Sequence, residues 1–214
     1  AEIRGKDYIR KIIQIPIQTP IWDAKDIQEI IQKNIVPKLE SKHASLIKNN
    51  KDLISIAVEN NPRELKRFIN RIILSKELAE KNQRIDDHEL LVYESLSNRW
   101  PNTLNLFLLD HKLIDLALEF MSIEDYIKRK NRIQERQKDG NYPERFEKLL
   151  SFTPDLWNFI IQTQDILKKI DLKKYSKLTE PLKPEMVSNV VSKNLVITTE
   201  EENENLIQNI IRIF

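Results

Sequence analysis

The chain has no cysteine. That absence excludes a disulfide scaffold, a thiolate zinc site, an iron–sulfur cluster and a cysteine nucleophile, and it favours a reducing interior. Glycine is almost absent as well. Only Gly5 and Gly140 occur in 214 residues, where a chain of this length would ordinarily carry about fifteen. A phosphate-cradling loop needs several glycines close together so that backbone N–H groups can approach the phosphates. No P-loop and no dinucleotide fingerprint is therefore present in these residues. Histidine is scarce too: His43, His88 and His111 lie far apart and form no metal-ligand spacing. With no G-x-S-x-G either, no catalytic residue and no metal ligand is assigned.

Neither sign of charge dominates. Lys plus Arg total 35 against 33 Asp plus Glu, a net +2, which exerts no global pull toward nucleic acid or an anionic membrane. Long apolar runs are missing. The most apolar stretch, residues 104–121, is interrupted by Asp110, His111, Lys112, Asp115 and Glu119, and reads as a buried helical hairpin. A hydrophobic content of 40% with 32% charged residues fits a soluble globular chain long enough for a real core.

What is present is mostly helical. Residues 11–17, KIIQIPI, form the one convincing strand, rich in β-branched isoleucine, with Pro16 at its end or at a sheet edge. A helix over residues 23–34 is capped by Asp23 and buries Ile27, Ile30 and Ile31. A polar connection with Pro37 precedes a short helix over 52–59. Asp86 caps a further helix that Trp100-Pro101 ends; a helix pair covers 104–109 and 113–121. Ser122 and Asp125 open a polar helix to about residue 138, and shorter helices start at Pro143 and at Thr153-Pro154-Asp155. Residues 194–198 read as extended, and Thr199 caps a last helix bearing Leu206, Ile207, Ile210, Ile211 and Phe214. Trp22, Trp100 and Trp157 sit beside apolar residues and read as core or interface anchors.

The sharpest local signal is Asn61-Pro62-Arg63-Glu64-Leu65-Lys66-Arg67-Phe68-Ile69-Asn70. Asn is a favoured N-cap, Pro is favoured at the first helical position, and Glu at the third completes a capping-box-like pattern. The helix buries Leu65, Phe68, Ile69, Ile72 and Ile73 and runs to about residue 81. The cations in its first turn run against the helix dipole by a few tenths of a kcal/mol each. Two readings stand together: an ordinary solvated helix start, or an anion site in which free N–H groups, the dipole and an Arg fork meet a phosphate. A second basic run, Lys128-Arg129-Lys130-Asn131-Arg132 continuing to Arg136 and Lys138, supports an alternative function as a helical binding module for an acidic partner or nucleic acid. Glu135 and Asp139 dilute it and no aromatic stacking platform is interleaved, so a solvated helix face is the preferred reading.

The strand Tyr8-Ile9-Arg10-Lys11-Ile12-Ile13-Gln14-Ile15-Pro16-Ile17 and the Asn61–Asn70 segment, in that order and spacing, resemble the end of the KAP family of P-loop NTPases. There an aliphatic strand of the type Y-L-x-K-I-I-Q-I-P-F leaves the nucleotide-binding sheet and a helical lid follows with a G-N-P-R-x-x-K-R-F-L-N motif. The resemblance covers about residues 5–80; Phe152–Phe159 and Asp171–Tyr175 are similar to the family's helical C-terminal region more loosely. It implies that Arg63 corresponds to a sensor-2 arginine directed at the γ-phosphate of ATP. Pro62, Lys66 and Arg67 complete the cofactor-binding set, the two cations standing as flanking alternatives to Arg63. It also implies ATP and Mg²⁺ in the intact protein, and a setting in phage exclusion or membrane-proximal signalling. Asn60 replaces the glycine that often precedes N-P-R; asparagine tolerates the left-handed conformation.

The expectation is thus a mostly α multi-helix bundle with one N-terminal β-strand left from a P-loop sheet. Residues 1–85 would be the end of the NTPase domain with its lid, 86–180 a helical bundle, and 181–214 an extension with a terminal amphipathic helix. Such a chain senses nucleotide state and transmits it, with no catalysis and no cofactor of its own. Its partners would be an upstream P-loop portion and, through the C-terminal helix, a second copy or another protein. It would be cytoplasmic, at the inner membrane face, with any membrane contact made by segments outside these residues.

Overall fold

Asp23 begins the first helix with a reciprocal capping box: its carboxylate accepts from the Asp26 N–H, and Asp26 accepts from the Asp23 N–H, both at 2.9 Å. The computed structural model describes residues 22–82, 85–139 and 142–177. Among the described residues the chain is mostly helical, with no strand. The strand expected at 11–17, the extended stretch at 194–198 and the helix expected from Thr199 lie outside the described residues.

Helix α1 (Ala24–Ile30) widens into a π turn, Ile31–Ile35, and tightens into a 3-10 turn, Val36–Lys38. Pro37 explains the break, because it lacks an N–H and its ring clashes with the carbonyl four residues back. The wide turn has a further effect. Steps of four residues drift around a regular α-helix, and the extra residue per turn keeps Ile27, Ile31 and Ile35 all buried.

The connection expected after Pro37 is instead a helix, α2 (Ser41–Asn49), followed by α3 (Lys51–Ala57). His43 completes the buried face with Leu46 and Ile47, a face that a polar residue hides from a hydrophobicity reading. Helix α4 (Pro62–Asn82) then runs 21 residues. Its stripe Leu65, Phe68, Ile69, Ile72 and Ile73 is buried as expected, none more than 2% exposed.

Helices α5 (Asp87–Arg99), α6 (Pro101–Leu109) and α7 (Lys112–Glu119) follow. After them come α8 (Tyr126–Asp139), α9 (Pro143–Leu150), α10 (Pro154–Gln162), α11 (Gln164–Leu167) and α12 (Leu172–Ser176). Caps mark several starts. Asp86 accepts from the His88 and Glu89 N–H groups at 2.9 and 3.0 Å, and Thr153 accepts from the Leu156 N–H at 3.3 Å. The acidic cluster at 86–89 divides its labour: Asp87 pairs with Lys76 at 2.5 Å, and Glu89 accepts from the Tyr175 hydroxyl at 2.7 Å.

Two apolar clusters form the core. One gathers α1 to α4 around Ile27, Ile47, Ile54 and Phe68; the other gathers α5 to α12 around Phe107, Trp157 and Phe159. Helix α5 is their common wall. Leu91 packs into the first cluster, while Leu90, Val92, Tyr93 and Leu96 pack into the second. A helix apolar on both sides is buried on both sides, so α4 cannot shift far without disturbing α5. Of the three tryptophans, Trp157 is fully buried and Trp100 lies against Phe159 with ring centroids 4.9 Å apart. Trp22 stands 41% exposed and belongs to neither core cluster. Among the described residues no helix is long and apolar enough to cross a membrane.

Candidate functional site: the start of helix α4

The turn before α4 is tightly constructed. Beyond the end of helix α3, Glu59 and Asn60 both lie in the left-handed region, at φ 50° and 56°. The Asn60 N–H reaches back to the Ser55 carbonyl at 3.3 Å, the long bond that closes a helix whose chain turns left-handed. The substitution of Asn for Gly at position 60 therefore occurs in the conformation that asparagine tolerates best among non-glycine residues.

Asn61 caps the new helix: its Oδ1 accepts from the Arg63 N–H at 3.0 Å, and its carbonyl accepts from the Leu65 N–H at 2.9 Å. The second half of the expected capping box is not made. The Asn61 N–H already donates to the Val58 carbonyl at 2.9 Å, and the Glu64 carboxylate turns to Arg67 at 3.3 Å. Nor are the first-turn amides all available to an anion. Pro62 has none, and that of Arg63 is committed to Asn61. Recognition of an anion here falls chiefly to side chains.

The structure brings the candidate cations together. Residues three and four apart adjoin on a helix surface, so Arg63, Lys66 and Arg67 share one face, and all three are exposed. Arg67 is engaged by Glu64. Arg63 and Lys66 have no side-chain partner among the described residues. Half-buried Pro62 sets the first helical turn beneath them.

The second basic run is less basic at its surface than in sequence. Arg129 is 2% exposed; its Nε donates to the Phe120 carbonyl at 3.0 Å and its guanidinium lies 4.8 Å from the centre of the Trp157 ring. Burial lowers its pKa from the ordinary arginine value. Ile133 is buried one turn on. Lys128, Arg132, Arg136 and Lys138 remain exposed, with Arg132 paired to Glu135 at 2.9 Å.

Sequence reasoning missed the groups that anchor the α4 start. Arg99, at the end of α5, pairs with Glu59 at 3.3 Å and Asp155 at 2.8 Å, and donates to the Ile56 carbonyl. Asn98 donates to the Ala57 carbonyl at 3.0 Å. A polar cleft of about 440 Å³ opens beside this junction, lined by Ser55, Glu59, Asn60, Arg99, Asp155 and Asn158 among others. No spacing along the chain signals contacts between residues some 40 positions apart.

The KAP family P-loop domain matches residues 1–79 of this sequence, a span that includes the whole α3–α4 turn. No curated protein and no solved structure gives a significant match to the chain. Residues 1–79, which end within α4, are therefore similar to the KAP family P-loop domain and consistent with part of such a domain.

Proposed function

We propose that the α4 start is the nucleotide-sensing element of a helical lid, and that the helices after it transmit the lid's state. The observation that carries this reading is Arg63, a cation at the positive end of a capped helix, exposed, with no side-chain partner among the described residues, inside the span that matches a P-loop domain. Asn61, Pro62 and Glu64 each have a structural use at that turn; the Arg63 side chain has no partner among the described residues.

On this reading Arg63 reaches the γ-phosphate of ATP held with Mg²⁺ by the P-loop portion of the intact protein. Lys66 adds positive charge on the same face, and Arg67 becomes available when Glu64 releases it. An arginine fork suits terminal phosphate oxygens because it offers paired donors in one plane. The described residues of this chain would supply the sensing cations and no nucleophile, so catalysis belongs to the intact ATPase. Its setting would be phage defence or signalling, on the cytoplasmic side of the membrane.

The decisive experiment is Arg63→Ala in the intact ATP-binding protein, with ATPase rate and ATP-dependent compaction as readouts. A fall in rate of about tenfold or more, of the size expected when one preorganised charge contact to a transferring phosphate is lost, together with loss of compaction, supports the assignment. Wild-type rate and compaction would remove it.

A further inference from the structure

The α3–α4 turn holds two consecutive non-glycine residues in the left-handed region, Glu59 and Asn60. For a side chain such as glutamate that conformation is disfavoured, so something nearby must hold it. Three contacts from two residues converge there. Asn98 and Arg99 supply donors to the last carbonyls of α3, at Ala57 and Ile56, acceptors that a helix end leaves without intrahelical partners. Arg99 also draws in the Glu59 carboxylate at 3.3 Å.

The same guanidinium makes a further contact of another kind. It binds Asp155 at 2.8 Å, and Asp155 lies in the first turn of α10, just past the Thr153 cap. The Arg99 side chain is 12% exposed, while Glu59 and Asp155 are 69% and 61% exposed. A largely buried fork is therefore shared between two solvent-facing carboxylates, one in the α3–α4 turn and one on α10. Its stem is fixed as well, with the guanidinium 4.9 Å from the centre of the Trp100 ring, which in turn packs on Phe159 of α10. Lysine could not reproduce this, since a point charge on a flexible stem cannot present planar donors in several directions at once.

We propose that Arg99 is a positioning residue. It holds the Glu59–Asn60 turn, and with it the Asn61-Pro62-Arg63 helix start, in register with α10, so that displacement of one is felt by the other. This deepens the lid reading above and rests on it for its functional consequence. The mechanical link itself stands on the contacts alone. When the α4 start moves, Glu59 must drag Arg99 or release it, and release leaves Asp155 as the guanidinium's remaining acidic partner.

The test is hydrogen exchange at the Glu59, Asn60 and Asn61 amides of the full 214-residue chain. These amides donate to the Ile56, Ser55 and Val58 carbonyls. Arg99→Ala is expected to speed their exchange by roughly threefold to tenfold, with the Ile133 amide of α8 unchanged. Arg99→Lys should restore protection only in part. Asp155→Asn distinguishes a link from a local cap. Asp155 has no hydrogen bond or ion pair with the turn, so its substitution should loosen the 59–61 amides in the wild-type background by about twofold and have no effect in the Arg99→Ala background. Exchange at 59–61 that ignores Arg99→Ala overturns the proposal, as does an Asp155→Asn effect that persists without Arg99. Failure of the lid reading looks different: Arg63→Ala would leave the nucleotide response of the intact protein unaltered while the Arg99 and Asp155 variants still loosen the turn.

Discussion

Arg71 of α4 and Glu94 of α5 meet as an ion pair of 2.9 Å, and the Ser75 hydroxyl donates to the other oxygen of the same carboxylate at 2.7 Å. The two ends differ in environment: the Arg71 side chain is 40% exposed and that of Glu94 5%. Lys76–Asp87 and Arg99–Glu59 lie further along the same antiparallel pair of helices. The charged contacts thus fasten α5 along the length of α4, from its second half back to the turn before it. In the proposed lid, α5 would travel with α4 as one body.

The Arg71–Glu94 pair predicts a pH-dependent defect. Burial raises the Glu94 carboxyl pKa above its ordinary value of 4.5, with Arg71 and the Ser75 hydrogen bond opposing the rise. The folded protein therefore retains a proton that the unfolded chain has lost. The associated stability is complete below 4.5 and is lost as pH rises through the raised value. Arg71→Ala removes the main opposing charge and should destabilise the chain by about 2 kcal/mol at pH 8, because it leaves a buried carboxylate without its ion pair. The deficit should shrink at pH 5. Chemical denaturation at the two pH values measures this, and equal deficits at both would contradict it.

His43 predicts the opposite slope. Burial lowers its pKa below 6.5, and Lys42 acts in the same direction, as does Lys76, while Glu77 opposes them. Its Nε2 stands 3.0 Å from Glu77 Oε1. Here the unfolded chain binds the extra proton, so the stability contribution is present above 6.5 and is lost as pH falls through the lowered value. His43→Gln removes the titrating group at similar size. The stability of the variant should change less than that of the wild type between pH 7 and pH 5, as followed by denaturant midpoints. Wild-type and variant curves of the same slope would place the titration elsewhere.

Asn60 predicts a stability series. At φ 56° glycine has no Cβ to accommodate, whereas a β-branched side chain is strongly disfavoured. Asn60→Gly should lie within about 0.5 kcal/mol of wild type, since asparagine already tolerates the region. Asn60→Val should cost about 1–2 kcal/mol. Thermal melts of the three proteins give the order, and a valine variant as stable as the glycine variant would show that the turn relaxes out of the left-handed region.

What the sequence revealed of this molecule follows a physical divide. Caps and stripes are local, so Asp23, Asn61-Pro62, Asp86 and Thr153-Pro154 announce their helices, and Leu65 to Ile73 announce the buried face of α4. The left-handed turn was foreshadowed by Asn60 standing where glycine is common. Three things were hidden. Helix α2 was concealed because His43 completes its apolar face. The π turn arises from a conflict between Pro37 and three isoleucines that must all face inward. The anchors of the α4 start, Arg99 and Asn98, act across some 40 residues of chain, and Arg71–Glu94 across 23. Charged residues at such separations look in sequence like any other surface charge, and only packing selects the few that are buried.

Arg129 is the instance where that distinction has the largest consequence, because it sits inside a run of cations that sequence reads as one surface. Its guanidinium donates to the carbonyls of Phe120 and Ile123 and lies over the Trp157 ring, so it ties the loop before α8 to the second core. Removing it strands buried carbonyl oxygens and a cavity beside Trp157. Arg129→Ala should cost about 3 kcal/mol, from lost charge-assisted hydrogen bonds and lost packing together. Arg129→Lys should recover only a fraction, because one ammonium cannot reproduce the planar fork. Lys128→Glu and Arg136→Glu, both on the exposed face, should change stability by about 0.5 kcal/mol or less. Denaturant titrations followed by tryptophan emission test all four. A stable Arg129→Ala variant with unaltered emission would return Arg129 to the surface and restore the uninterrupted basic face that an acidic partner or nucleic acid would need.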